Sequence, residues 1–183
     1  EDTSQELKKI AITYIIKQPE KLWYLREKDK DLLTEDLKEE MARKILSEEP
    51  IKGEHFYTIL EKLNFLKIFE INIKEISYVW QIINAIGSIS QLDNERIEMI
   101  TELLAETSAK YANKNWFDYI IDKMKNLGNN KQTIYTAVTY LYNIYLFNSS
   151  ILNEEEKYKY YRKLLPYIFL NVDLIPKLEI FGK

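Results

Sequence analysis

Residues 157–163, KYKYYRK, set four cations (Lys157, Lys159, Arg162 and Lys163) among three tyrosines (Tyr158, Tyr160 and Tyr161). Interleaved aromatics and cations suit single-stranded RNA or DNA, whose bases stack on the rings while the cations meet phosphates. The same residues also fit an amphipathic helix with a charged outer face, on which Tyr158, Tyr161 and Leu165 share the inner side. Glu154, Glu155 and Glu156 lie just upstream, and the whole chain carries a net charge of −3. Both features oppose phosphate binding. Ten of the 14 tyrosines fall within residues 111–167. They are read either as core, with hydroxyls reaching helix ends or solvent, or as the lining of a protein-binding groove.

Other chemistries find little support. His55 is the only histidine and cysteine is absent, so thiolate metal sites, disulfides and cysteine nucleophiles are excluded. A lone histidine at a helix start offers neither a metal site nor a hydrolytic triad. The carboxylate pairs Glu35/Glu39 and Asp118/Asp122 have helical spacing for acid–base work, but they sit on polar faces among lysines. No glycine-rich phosphate loop or Glu-x-x-His motif occurs. An enzyme is therefore the least favoured class, and no cofactor or metal is expected.

The central element is TIYTAVTYLYNIYLF, residues 133–147. On a helix, Gln132, Thr136, Thr139 and Asn143 form one thin polar stripe, and the remainder is apolar or tyrosine. Such a helix is surrounded by neighbours on most sides. It is too short to span a membrane, and no other run is longer. With four glycines and four prolines, long helices joined by short loops are expected.

The first helix should cover about residues 5–17, with Leu7, Ile10 and Tyr14 or Ile15 inward. A second, KLWYLREK, should follow Pro19. Thr34 should cap the helix EDLKEEMARKIL, which Pro50 stops from beyond its end. A helix over about 55–69 buries Phe56, Ile59, Leu60, Leu63 and Leu66. Ile71 and Ile73 alternate before a helix runs to about Ser90 with Ile76, Val79, Trp80 and Ile83 inward. Asp93 caps a helix burying Ile97, Ile100 and Leu104, with Tyr111 at its end. Asn115 opens the next, and Gly128 provides a left-handed turn. Asn130 opens the central helix, and Asn153 with Glu156 forms a capping box for EEEKYKYYRKLL. The apolar tail LNVDLIPKLEIFGK should be docked or continued.

From about residue 55, paired helices recur every 36–44 residues, the spacing of HEAT and armadillo arrays. The fold class is therefore all-α, with seven to eight helices, as an irregular bundle or a short HEAT/armadillo-like hairpin stack. Residues 1–183 are expected to form one domain, with an acidic helical front (1–50) and a helical-hairpin region (51–183). The absence of an initiator methionine suggests a fragment or processed form of a longer protein. Twenty-five isoleucines against three valines, with 13 asparagines, fit an AT-rich genome. The compartment is open, an intracellular one being favoured.

Near the front, ELKKIAITYIIKQPEKLWYL and LLTEDLKEEMARKIL together resemble the helical N-terminal module of replicative DnaB-type helicases. The resemblance covers about 45 residues, hangs on Pro19, Glu20 and apolar spacing, and implies a helical accessory module in a nucleic-acid machine. The favoured function is non-enzymatic protein–protein interaction, as scaffold, adaptor or complex subunit, through a Tyr/Ile-rich helical surface. The alternative is RNA or single-stranded DNA binding through the Tyr/Lys-rich C-terminal half. The expected partner is another protein, with nucleic acid possible.

Overall fold

In the computed structural model, residues 2–47 and 55–183 are described. Among them there is no strand, and nine α-helices are connected by short turns and 3-10 segments. The helices are α1 (Asp2–Ile16), α2 (Glu35–Ser47), α3 (Phe56–Ile68), α4 (Ile76–Gly87), α5 (Asn94–Ser108), α6 (Lys114–Met124), α7 (Lys131–Phe147), α8 (Glu154–Leu164) and α9 (Ile175–Gly182). The all-α expectation holds, with somewhat more helices than seven or eight because the tail forms α9.

Helices α3, α5, α7 and α9 contact one another in succession, as do α4, α6 and α8. Helix α7 is the hub, meeting α4, α5, α6 and α9. Every residue from Thr133 to Leu141 is buried, the threonines of the supposed polar stripe included. The Thr136 hydroxyl donates to the Gln132 carbonyl at 2.7 Å, whereas the buried Thr139 hydroxyl has no hydrogen-bond partner among the described residues. The Gln132 side chain donates to the carbonyls of Ile86 and Ile89, both at 2.8 Å, satisfying backbone groups at the end of α4. The Tyr140 hydroxyl, wholly buried, meets Ser108 Oγ at 2.8 Å. Gly87 permits the close approach of α4 to the start of α7, since a Cβ there would lie 2.8 Å from the Thr133 Cα.

Most expected signals operate. The Thr34 hydroxyl accepts from the Leu37 N–H, Asp93 from Arg96, Asn130 from Thr133, and Asn153 and Glu156 complete their box. Gly128 has φ +57° in the turn before α7. The cap of α6 is Asn113, which accepts from the Asn115 N–H, so the helix opens two residues earlier than expected. Helix α3 ends with Glu70 at φ 55°; Glu70 N–H donates to Lys67 O and Ile71 N–H to Leu66 O. That pair of bonds is a Schellman motif, with glutamate where glycine is usual. Residues 71–75 then run extended, burying Ile71 and Ile73 on one side, and Ile73 N–H donates to Thr107 O.

Two front elements differ from expectation. In place of one helix over KLWYLREK, 3-10 segments cover Pro19–Tyr24 and Glu27–Leu32, split by extended Leu25 and Arg26. The Asp29 carboxylate accepts the Arg26 N–H at 2.9 Å, a local side-chain bond that replaces helical pairing. In α1 the inward residues are Ile12 and Ile16, while Leu7, Ile10 and Tyr14 are 62%, 66% and 58% exposed. Both faces of α1 are apolar, so spacing alone could not choose between them. The stop at Pro50 lies outside the described residues.

Candidate interaction surface

The residues singled out at 157–163 lie on α8, and its capping box fixes where that helix begins. The structure divides them between two faces. The inner face is Lys157, Tyr160 and Leu164, spaced i, i+3, i+7. This corrects the expected inner set, for Tyr158 and Leu165 are exposed and only Tyr161 is part-buried. The register follows from what lies beneath. The Tyr160 ring sits 5.2 Å from that of Phe117, and its hydroxyl donates to the Lys114 carbonyl at 3.2 Å. Burial first, then the nearby Asp118 carboxylate, pushes the Tyr160 hydroxyl's pKa well above its ordinary value. It is a structural tyrosine, removed from any stacking platform.

Lys157 is also withdrawn. Its stem is buried, and its ammonium reaches out to Glu154 at 3.1 Å and over the Tyr145 ring at 6.0 Å. The Glu154 hydrogen bond is the main cause raising its pKa. Lys163 pairs with Asp118 at 3.6 Å. Lys159 and Arg162 are exposed and have no ion-pair partner among the described residues. Two of the four cations are thus already matched by carboxylates.

The outer face is a different object from the one the sequence suggested. Tyr158 is 53% exposed, with the Arg162 guanidinium over its ring at 5.7 Å and Tyr161 beside it at 6.3 Å. Tyr161 is held against the tail helix, where a Cβ on Gly182 would sit 3.0 Å from its ring. Beyond the end of α8, Arg162, Leu165, Pro166, Ile168 and Phe169 line a shallow depression. Phe169 is 91% exposed. The segment Val172–Leu174 packs on Leu165–Phe169, and Val172 is exposed as well. The depression and its Phe169 rim were missed in the sequence. A usable signal existed, because the run LLPYIFL crosses a helix end, where one buried face cannot accommodate every apolar side chain.

The tail behind this surface is firmly anchored. Leu174, Leu178 and Phe181 are fully buried, and Phe181 meets Phe117 and Tyr145. Lys177 bonds Glu98 at 2.6 Å, and the Tyr135 hydroxyl donates to the same carboxylate at 2.8 Å. One carboxylate on α5 therefore ties α7 to α9. The Lys177 bond is the main influence holding Glu98 below its usual pKa, while burial and Glu98 raise that of Tyr135.

The candidate acid–base pairs are neutralised at the surface. Glu35 faces Lys38, Glu39 faces Lys74, Asp118 faces Lys163 and Asp122 faces Lys125, all within 4 Å. His55 is exposed at the start of α3, where its carbonyl accepts from Thr58 and Ile59. Between α2 and residues 70–75 lies a cleft of mixed charge, crossed by the Lys74–Glu39 bond. Among the described residues no group of three or more His, Asp or Glu side chains is arranged to hold a metal, and no helix is long and apolar enough to cross a membrane. Compared with models of protein families, with curated proteins and with solved structures, the chain matches none, so the helicase-like front gains no counterpart.

Proposed function

We propose that this chain is a non-enzymatic protein-interaction module, a scaffold, adaptor or complex subunit, that binds its partner through the outer face of α8 and the Leu165–Phe169 depression. The carrying observation is Phe169, almost fully in water at the rim of an apolar depression on a well-anchored frame. Burying one phenylalanine side chain contributes about 1.5–3 kcal/mol. Apolar patches rimmed by polar residues mark sites where a partner supplies that burial. Arg162, which lines the depression, and Tyr158 under its guanidinium are residue types that dominate interface energetics.

RNA or single-stranded DNA remains the second reading, favoured by the Tyr158–Arg162 stack with Lys159 nearby. It is weakened by the pairing of Lys157 and Lys163 with Glu154 and Asp118.

The test is a photo-crosslinking residue placed at position 169, with one at the exposed Lys125 as control, in cells of the source organism. A discrete protein adduct at 169 and none at 125 is expected. An RNA adduct at 169, or equal labelling at both positions, would refute the proposal.

A further inference from the structure

Helix α1 carries a second apolar stripe that the fold does not use. Its core side is Ile12 and Ile16; Leu7, Ile10 and Tyr14 project from the opposite side, and residues 3–11 are exposed throughout. Of its main packing partners, the Pro19–Tyr24 segment reaches the stripe at Tyr14, where the Lys21 ammonium lies 5.3 Å over the ring, and the stripe still stays more than half exposed. The spacing i, i+3, i+7 is that of a helix–helix seam.

The charges beside the stripe indicate what covers it. Glu6 and Lys17 have no ion-pair partner among the described residues. At 3.6 residues per turn they lie within about 20° of one another around the helix, so both border the same edge of the stripe. They stand near opposite ends, an acid toward the N-terminus and a base at the C-terminus. When two such helices pack antiparallel, each edge faces the same edge of the other helix. Glu6 of each copy then meets Lys17 of the other, and the positive end of each helix dipole lies beside the negative end of its neighbour. A parallel pair brings neither match. The stripe is thus complementary to itself under a two-fold axis, the commonest symmetry of soluble assemblies.

We propose that α1 is a self-association helix: Leu7, Ile10 and Tyr14 of one copy pack antiparallel on the same residues of a second copy, with reciprocal Glu6–Lys17 pairs. Leu7, Ile10 and Tyr14 expose on the order of 400 Å² per copy, at roughly 150–250 Å² for a full side chain of this size. A standard stable interface uses about 800 Å² per partner, so the dimer is a weak, micromolar one.

Sedimentation equilibrium of the full 183-residue chain over a wide concentration range tests this. A reversible monomer–dimer equilibrium is expected. Ile10→Asp should weaken it at least about tenfold, since an apolar anchor is replaced by a charge. Glu6→Lys and Lys17→Glu should each weaken it about two- to fivefold. The double exchange Glu6→Lys/Lys17→Glu should restore it. All three positions are exposed, so circular dichroism should show unchanged helicity and melting. A chain monomeric at every concentration overturns the proposal, as does a dimer indifferent to Ile10→Asp or a double exchange that fails to compensate. Binding of a monomeric chain to phosphatidylserine vesicles through Leu7 and Ile10 would assign the stripe to a lipid surface and equally overturn it.

Discussion

Replacing Gly87 with alanine perturbs a close approach of α4 to α7 and sets two calculable effects against each other. Gly87 ends α4, and glycine in a helix is less favourable than alanine by roughly 0.5–1 kcal/mol, so propensity alone favours the substitution. Against this, the new Cβ would sit 2.8 Å from the Thr133 Cα. Carbon atoms pack at about 3.5–4.0 Å, leaving a shortfall of roughly 0.7 Å or more. The obstacle is backbone of α7, which cannot rotate aside, and α7 is held by four other helices. Separating α4 from α7 would also strain the Gln132 bonds to Ile86 and Ile89. Overpacking of a tight core costs about 1–3 kcal/mol, and the Thr133 Oγ1, Cβ and Cα all lying within 2.8 Å of the new Cβ put this site in the upper half of that range. The net expectation is destabilisation of about 1–2 kcal/mol, or a fall in Tm of roughly 2–8 °C for a chain of this length. Urea titration followed by circular dichroism measures the first quantity and a thermal melt the second. An alanine variant as stable as the parent, or more so, would refute the claimed α4–α7 packing.

Glu70 holds a left-handed conformation that glycine adopts without strain, so Glu70→Gly should stabilise the chain by about 0.5–1 kcal/mol in urea titration. The exposed Lys30–Glu70 pair at 3.4 Å is lost in that variant but contributes little. Glu98 has a folded pKa held below its usual 4.5 by Lys177. Its stabilisation is therefore fully present above that value and is lost as pH falls through the lowered folded pKa. Glu98→Gln should destabilise by about 0.5–1 kcal/mol at neutral pH, a modest figure because the pair is partly solvated. The difference from the parent should vanish in acid, as denaturation at a series of pH values would show.

Much of the fold was legible because local signals and burial agree. Thr34, Asp93, Asn130 and Asn153 each accept from the backbone N–H three residues on, and such caps are written within a few neighbouring residues. Helix α7 was legible because apolar residues surround it, leaving no choice of face. Where a helix has two plausible faces, tertiary packing decides, and the sequence is silent. In α8 the choice fell on Tyr160 and Leu164 because Phe117 and the Lys114 carbonyl lie beneath them. In α1 it fell on Ile12 and Ile16, leaving the expected stripe in solvent. Of the seven residues nominated at 157–163, Tyr160 and Lys157 belong to the interior. Arg162, stacked on the exposed Tyr158, lines an apolar depression that only the turn after α8 creates.

The most direct test of the interaction surface is the affinity of the protein captured at position 169, measured by titration calorimetry with the parent chain and with Phe169→Ala at low and at raised salt. Loss of a desolvated phenylalanine anchor should weaken binding by about 10- to 100-fold. Raising salt from about 50 to 200 mM should change the affinity far less than the 10³- to 10⁵-fold expected when many phosphates are contacted. Binding unchanged in Phe169→Ala would contradict the assignment of this surface, and a steep collapse with salt would contradict apolar burial as its mechanism.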